Sequence, residues 1–210
     1  MVEAKICKVH NVELSRMRVP IAFGLRPYDP ALEVKERRFP NSNSYQLGGC
    51  VIDTEVPQYD YLLTCKKCRE AERSWRELYE AYLETSYVVH DDGVDLTIRV
   101  HKKNIQLNDL LKQEGVSSWA FLTAYNPFST PLTEPENLDR QAKLIQHLES
   151  RGLRYLRGFG KGDDPSWEPE PSLFILDIGR NDAIAIGRQF DQNAILWGEI
   201  EGFPELIWCD

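Results

Sequence analysis

Cys7-Lys8-Val9-His10 and Cys65-Lys66-Lys67-Cys68 are the two stretches that decide how the first part of this chain folds. Each stretch places two metal-ligating side chains three positions apart. Three cysteines and one histidine make the four ligands that a structural zinc ion takes in a tetrahedral shell. Because four protein ligands leave no open position for water or substrate, the pattern predicts a structural Zn²⁺ site, not a catalytic one. The predicted ligands are Cys7, His10, Cys65 and Cys68.

The other two cysteines leave one alternative open. Cys50 follows two glycines and could replace His10 as a ligand, whereas Cys209 is expected to be a lone thiol. The other interpretation of the pattern is a set of free buried cysteines with one surface histidine. The N-terminus has no apolar leader segment, so we expect a cytoplasmic protein, and a reducing compartment favours metal ligation over disulfides.

Residues 1–85 are predicted to form one zinc-binding module that ends in a long helix. Apolar segments at 19–23 and 44–52, with turn residues between them, indicate strands of a hairpin. Apolar residues recur every three or four positions over 65–84, which predicts an amphipathic helix. A Cys-x2-His knuckle, a hairpin and a Cys-x2-Cys pair at a helix start is a treble-clef-like arrangement. The helix N-terminus would offer amide donors and a positive dipole end to the thiolates.

Residues 86–210 are predicted to form a second, ferredoxin-like domain, which makes the fold class α+β. The element order is β-α-β-β-α-β with an extra strand at 203–208. The strands are predicted at 119–125, 154–159, 172–178 and 194–200, and the helices at 134–151 and 181–190. A capping box over 133–136 opens the first helix, and Asn181 caps the second. The predicted inner face of the first helix consists of Leu138, Ala142, Ile145 and Leu148. The first and third of these strands are the most continuously apolar, as central strands require. Before this core, the sequence predicts a connector at 85–93, a strand at 94–100 and a short helix capped by Asn108.

The ferredoxin-like plan brings three polar loops to one edge of the sheet. These loops are residues 126–130, 161–168 and 191–193, and we call them together the loop edge. They are rich in carboxylates, amides and hydroxyls, with a tryptophan among them. Such groups could hydrogen-bond a polar ligand, stack on a ring or gather Mg²⁺. The candidate ligand-binding residues are Asn126, Ser129, Asp163, Asp164, Trp167, Glu168, Gln192 and Asn193.

Two resemblances bear on the domain division. Thr123-Ala124-Tyr125-Asn126-Pro127, then Glu168-Pro169, then Gln192-Asn193-Ala194-Ile195 with Trp197, occur in the order typical of a bacterial family known as domain of unknown function 3293. The chain resembles that family over residues 117–208. The first 85 residues are similar to a bacterial zinc-ribbon module. Neither resemblance implies an established activity, but both imply that the two halves are separate modules.

The charge is distributed unevenly between these halves. Residues 1–85 carry 13 basic and 13 acidic side chains, and residues 86–210 carry 12 and 20, so the second half holds the whole net charge of −8. An acidic half repels phosphate backbones, which makes nucleic acid a less favoured partner. The apolar runs are too short for a membrane span, so no membrane contact is expected.

Three functions follow from these features, in order of preference. The first is a zinc-stabilised binding or adaptor protein that contacts a protein or a small polar ligand through the loop edge. The second is a hydrolase or transferase that acts on a nucleotide-like substrate with the loop-edge carboxylates; no complete catalytic set is recognisable, which favours binding. The third is nucleic-acid binding through the zinc module, supported by its basic clusters at Arg37, Arg38, Lys66, Lys67 and Arg69.

Overall fold

The structure is a computed structural model that describes residues 5–24, 31–50, 57–91, 93–163 and 168–209. It is an α+β protein with five helices and two sheets in these residues. The chain divides into two compact units, Met1–Tyr79 and Glu80–Asp210. The assignment of 1–85 and 86–210 as separate functional domains stays a prediction. None of the helices in the described segments is long and apolar enough to cross a membrane.

The first unit is built on a small sheet with the order β2-β1-β3. Its strands are β1 (Ser15–Phe23), β2 (Gln46–Gly49) and β3 (Tyr59–Thr64), and its helices are α1 (Ala31–Arg38) and the larger part of α2 (Lys66–Glu84). The helix predicted at 65–84 is confirmed. Its buried side chains Cys68, Trp75 and Tyr79 lie seven and four positions apart, which is two turns and one turn of the helix, and form one face.

The predicted hairpin between the first two strands is wrong. β1 and β2 are parallel, and α1 lies between them in the chain, because parallel neighbours need a crossover and cannot be joined by a tight turn. The antiparallel partner of β1 is β3, with Arg18 opposite Tyr61 and Ser15 opposite Thr64. The sequence analysis does not predict β3, because apolar and polar residues alternate only over its first three positions.

The second unit is a seven-stranded antiparallel sheet with the order β10-β9-β6-β8-β7-β4-β5. The strands are β4 (Ser86–Asp91), β5 (Val94–Ile98), β6 (Ser118–Leu122), β7 (Tyr155–Lys161), β8 (Glu170–Leu176), β9 (Ala194–Glu199) and β10 (Glu205–Trp208). The helices are α3 (Ile105–Glu114), α4 (Glu134–Ser150) and α5 (Arg180–Gln189). The central position predicted for the strands now labelled β6 and β8 is confirmed.

Both faces of this sheet are covered, which explains why its central strands are apolar throughout. Trp119 and Phe121 of β6 pack in a cluster with Leu107 and Leu111 of α3. The alternate residues of β6 pack on the other face with residues of α4 and α5. Burial of each large apolar side chain contributes roughly 1.5–3 kcal/mol, so these two clusters are the main source of stability for this unit.

Three local predictions in the second unit are corrected. The connector at 85–93 contains β4, which lies between β7 and the edge strand β5 and pairs with both. The cap of α3 is Asn104, whose Oδ1 accepts from the Leu107 amide at 3.1 Å, whereas Asn108 Oδ1 accepts from the Glu201 amide. The N-cap of α5 is Gly179 instead of Asn181. The predicted capping box of α4 is present, with the Thr133 amide 2.9 Å from Glu136 Oε2.

The inner face of α4 also differs from the expected one. Leu138 and Ala142 were placed inside by the apolar pattern, but both are exposed. The buried residues are Asn137, Gln141, Leu144 and Leu148. Two polar side chains are tolerated there because each of them hydrogen-bonds a loop backbone, as described below.

Candidate functional site

The four predicted metal ligands come together in the first unit. Their ligand atoms all lie within 4.8 Å of one another. The Cys7 and Cys68 sulfurs are 3.6 Å apart, and His10 Nδ1 lies 3.7 Å from the sulfurs of Cys7 and Cys65 and 3.2 Å from that of Cys68. A tetrahedral shell with metal–sulfur bonds of about 2.3 Å and metal–nitrogen bonds of about 2.0 Å has edges of about 3.5–3.8 Å. The cluster therefore has the dimensions of a four-coordinate metal site.

Two local structures position these ligands. Cys7 and His10 lie in a tight turn, in which the Cys7 amide donates to the Val12 carbonyl and the Asn11 amide to the Cys7 carbonyl, each at 2.8 Å. Cys65 immediately precedes α2, and Cys68 lies in its first turn, with its amide 3.4 Å from the Cys65 sulfur. The positive end of the helix dipole thus faces sulfur atoms that carry negative charge when deprotonated.

Burial and the close approach of the sulfurs control the ionisation of the cluster. Burial raises the pKa of the Cys7 thiol, but hydrogen bonds from His10 and from the Asn41 side chain outweigh it and lower that pKa to about 6. Burial and the neighbouring sulfurs raise the pKa of Cys68 to about 12. One sulfur is therefore ready to bind a cation at neutral pH, whereas Cys68 gives up its proton when a metal ion arrives.

The other cysteines lie outside the cluster. Cys50 is exposed and is not among the four clustered ligands, so the alternative in which it replaces His10 is not the arrangement of this structure. Cys209 is buried in the core of the second unit, beside α5. Asn41 was not singled out from the sequence, since a single asparagine far from either cysteine pair gives no local signal.

Metal content tests this site. We expect one metal ion per chain in the freshly purified protein, identified by elemental analysis, and its loss in the Cys65→Ser/Cys68→Ser variant. Because a ligand cluster contributes folding energy only with its metal, hydrogen exchange should show loss of protection of β1–β3 in that variant. Cys50→Ser is the matched control and should keep both the metal and the protection. Metal retained in the double variant would contradict the assignment.

Two of the three loops of the loop edge, residues 126–130 and 191–193, contact each other in the part of the chain that the structure describes. β6 and β7 end at this edge, and β8 and β9 start there, as the register of the sheet requires. The Phe128 amide donates to the Asp191 carbonyl at 2.7 Å, and Asn193 Nδ2 donates to the Ser129 hydroxyl at 2.9 Å. Of the candidate residues, the structure therefore joins Asn126, Ser129, Gln192 and Asn193 into connected loops.

Asn126 is the centre of the hydrogen bonding at this edge. Its amide donates to Asn137 Oδ1 at 2.8 Å, and its Oδ1 accepts from Asn137 Nδ2 and from the Leu132 amide at 2.9 and 3.0 Å. Its Nδ2 donates to Glu170 Oε1 at 2.6 Å. The Asn126 side chain is therefore engaged at both ends by the protein itself. We call Asn126, Asn137 and Glu170 the Asn126 network.

Arg140 and Gln192 hold the neighbouring backbone. Arg140 Nε donates to the Ala124 carbonyl at 2.8 Å, and its Nη2 donates to the Phe190 carbonyl at 2.6 Å. Gln192 Nε2 donates to the Tyr125 carbonyl at 3.0 Å, and the Ala124 amide donates to Gln141 Oε1 at 2.9 Å. These contacts explain why polar residues occupy the inner face of α4: the helix fixes the loop that follows β6.

The loop after β6 has an unusual backbone. Asn126, Phe128 and Ser129 have φ values of 47°, 49° and 55°, and Asp191 across the contact has 55°. Residues other than glycine rarely adopt this left-handed region, which costs of order 1 kcal/mol each. The loop keeps this shape because the buried side chains around it over-determine it. Strain of this kind is concentrated at functional sites.

Tyr82, in the last turn of α2, reaches the same edge. Burial raises the pKa of its phenol to about 12, and the negative charge of Glu170 acts in the same direction, whereas hydrogen bonds with Ser129 and Asn193 oppose the shift. The phenol therefore stays protonated at neutral pH and serves as a hydrogen-bonding group, not as a base. The centroids of the Tyr82 and Trp208 rings lie 6.0 Å apart, in an edge-to-face arrangement.

The predicted carboxylate group is not assembled in the described residues. Asp163 is exposed and lies 3.5 Å from Arg99 Nη2, and Glu168 is exposed. The carboxylate that joins the Asn126 network belongs to Glu170. Asp164 and Trp167 lie outside the described residues. Glu170, Asn137, Gln141 and Arg140 were not predicted. The spacing 137, 141, 144, 148 places Asn137 and Gln141 on one helical stripe with two leucines, and this spacing is the signal that could have identified these two residues.

Comparison with known proteins supports part of the resemblance. Residues 122–195 match a family model described as "Protein of unknown function (DUF3293)". The matched segment runs from the end of β6 into β9 and contains the whole Asn126 network. No curated protein and no solved structure matches the chain. The resemblance of the first 85 residues to a zinc-ribbon module rests on the four clustered ligands alone.

Substitution of Asn126 tests whether the network is structural. Asn126→Ala removes the side-chain contacts and places alanine in the left-handed region, so we expect a loss of roughly 2–4 kcal/mol in the free energy of unfolding. Asn126→Gly should cost less, because glycine adopts this backbone without strain. Chemical denaturation of the full chain measures both, with the exposed Asn181→Ala as the control. Unchanged stability in Asn126→Ala would show that the side chain is free for a ligand.

Proposed function

We propose that this chain is a zinc-stabilised binding protein that contacts a partner protein through its loop edge. The observation that carries the proposal is Phe128, which is 63% exposed at the tip of the strained loop. A large apolar side chain held outward on a rigid loop is a typical anchor for a protein interface, because little entropy is lost when it is buried. The amides that could have bound a small polar ligand are engaged in holding the loop, which favours a protein as the partner.

The proposal includes the identity of the metal as zinc, a treble-clef-like first unit and a ferredoxin-like second unit. Zinc is the metal that three thiolates and one imidazole favour, and a knuckle followed by a cysteine pair at a helix start supports a treble-clef-like module. In the second unit, the antiparallel order β9-β6-β8-β7 and the helices after β6 and β8 support a ferredoxin-like core. Under this proposal the protein acts in the cytoplasm, where its thiols stay reduced.

The contacts of the carboxylates favour binding over hydrolysis. In the described residues, Asp163 faces Arg99 and Glu170 accepts a hydrogen bond from Asn126. These two carboxylates are thus engaged by other side chains of the protein. A hydrolase or transferase at this edge would need carboxylates that converge on a substrate, so binding is the conclusion that the geometry supports best.

A photo-crosslinking residue at position 128 tests the proposal in the host cell. We expect one recurrent protein partner, which the purified chain then binds with defined stoichiometry. Phe128→Ser should weaken that binding more than about tenfold, since a buried aromatic anchor contributes 2 kcal/mol or more. Phe203, 51% exposed in the turn before β10, is the matched control for crosslinking and for substitution to serine. Equal crosslinking from both positions, or full binding by Phe128→Ser, would contradict the proposal.

Nucleic-acid binding is the second candidate, and one surface of the first unit favours it. Arg16, Arg18 and Pro20 of β1 lie opposite Leu63, Tyr61 and Tyr59 of β3, so all six side chains share one face. All six residues are exposed. The Arg16 guanidinium lies 4.6 Å from the Tyr61 ring centroid, and that of Arg18 lies 3.9 Å from the Tyr59 ring. We call these six residues the Arg–Tyr face.

This surface combines the two groups that bind single strands. Aromatic rings and guanidinium planes stack on bases, and the arginine charge attracts phosphates. Tyr59 and Tyr61 are two residues apart in one strand, about 6.8 Å, which is twice the phosphate rise of one DNA strand. The face contains no carboxylate, because Asp60 points to the other side of the sheet. The net charge of −8 in the second half opposes binding, so a local surface must supply the attraction.

Binding of labelled single-stranded DNA and RNA, followed by fluorescence anisotropy over a range of salt concentrations, tests this candidate. We expect the variant Arg16→Gln/Arg18→Gln to bind more weakly and to reduce the salt slope by about 1–2. Lys66→Gln/Lys67→Gln removes the same charge from the start of α2 and serves as the control. An equal loss of affinity in the control would show that nucleic acid does not bind specifically at the Arg–Tyr face. No measurable binding by the parent chain would exclude this function.

A further inference from the structure

A cavity of about 220 Å³ in the first unit lies against α2 and has no role in the proposed function. It is lined by Ser42, Ser44, Arg69, Glu72, Arg73 and Arg76. Three of these residues carry guanidinium groups and one carries a carboxylate. The lining therefore has a net charge of +2 when all four groups are ionised, which distinguishes this cavity from an ordinary polar depression.

The three arginines lie on one face of the helix. Positions 69, 73 and 76 are spaced by four and three residues, so their side chains leave the same side of α2. Like charges at this spacing repel one another and destabilise a helix. Arg69 Nη1 contacts the Met17 sulfur at 2.6 Å, and a thioether is a weak acceptor that does not offset the charge.

Glu72 does not neutralise this set. Its Oε1 lies 3.1 Å from Lys35 Nζ and 3.4 Å from Arg76 Nη2, and the Lys35 and Glu72 side chains are only 8% and 13% exposed. Burial raises the pKa of Glu72, but Lys35, Ser42 and Arg76 outweigh it and hold that pKa below its usual range. The single negative charge is thus shared between two cations, and the positive excess of the cavity remains.

Ser42 and Ser44 add neutral groups to the lining. Ser42 is fully buried beside Glu72, and a hydrogen bond from its hydroxyl helps to lower the pKa of that carboxyl. Ser44 offers another hydroxyl at the same cavity. The site therefore presents both charged and neutral donors.

We propose that this cavity binds the phosphate group of a small organic phosphate. A phosphate monoester carries a charge of about −1.5 to −2 at neutral pH and three acceptor oxygens, which matches the net charge and the donors of the lining. Guanidinium forks bind such oxygens in pairs, and a carboxylate ligand would neutralise only half of the positive charge. The volume is below the roughly 300 Å³ of drug-sized pockets, so the bound group is small. Because Arg73 is exposed, the cavity is open to solvent on that side, and the organic part of the ester can extend outward there.

Titration calorimetry of the full, metal-loaded chain with inorganic phosphate and with glycerol phosphate tests the proposal at constant ionic strength. We expect saturable binding of both probes with one site per chain, and shifts of the Ser42 and Ser44 amide signals in the NMR spectrum. Arg73→Gln should weaken binding by at least about tenfold, which corresponds to 1.4 kcal/mol. Because Arg73 is exposed, this variant should fold like the parent chain, and the same NMR spectrum verifies it.

The matched control is Arg180→Gln, an exposed arginine of the second unit whose loss changes the net charge equally. It should bind phosphate like the parent chain. The proposal is overturned if neither probe binds saturably, if Arg73→Gln binds as well as the parent chain, or if Arg180→Gln loses as much affinity. Binding of inorganic phosphate without glycerol phosphate would overturn the assignment to an organic phosphate.

Discussion

The approach of three sulfur atoms and one imidazole nitrogen to within 4.8 Å is the constraint on which the first unit depends. Thiolates this close repel one another, and the neighbouring sulfurs add to the effect of burial in raising the pKa of Cys68. A divalent ion removes this repulsion and ties a turn near the N-terminus to the start of α2. The small sheet between these points has few buried apolar residues, so the cross-link through the ligands substitutes for a large core.

The second unit is organised differently, because its stability comes from a sheet with apolar clusters on both faces. This frees one edge to carry polar side chains in a fixed arrangement. The Asn126 network and Arg140 extend from the inner face of α4 into the loop after β6, so the shape of that loop is determined by a helix several residues away in the chain. Rigid support of this kind lets Phe128 stay exposed without collapsing onto the surface.

The proposed functions use different parts of the molecule. The loop edge presents an apolar anchor, the Arg–Tyr face presents cations over aromatic rings, and the cavity against α2 is lined by three arginines and two serines. The first requires a partner with a complementary apolar pocket, and the other two require anions. They can therefore be separated by salt dependence, since apolar contacts are nearly insensitive to salt and phosphate contacts are weakened by it.

The sequence by itself determined the features that depend on residue type and local spacing. The cysteine and histidine pairs identified the ligand cluster, and the apolar period identified α2 and the central strands β6 and β8. It did not identify β3 as the partner of β1, or the inner face of α4, because strand pairing and burial depend on residues distant in the chain. Asn137 and Gln141 look like surface residues until the loop backbone that they bind is placed beside them. Only the tertiary structure decided that the amides of the loop edge hold the loop, because a hydrogen bond between residues 126 and 170 has no local signature.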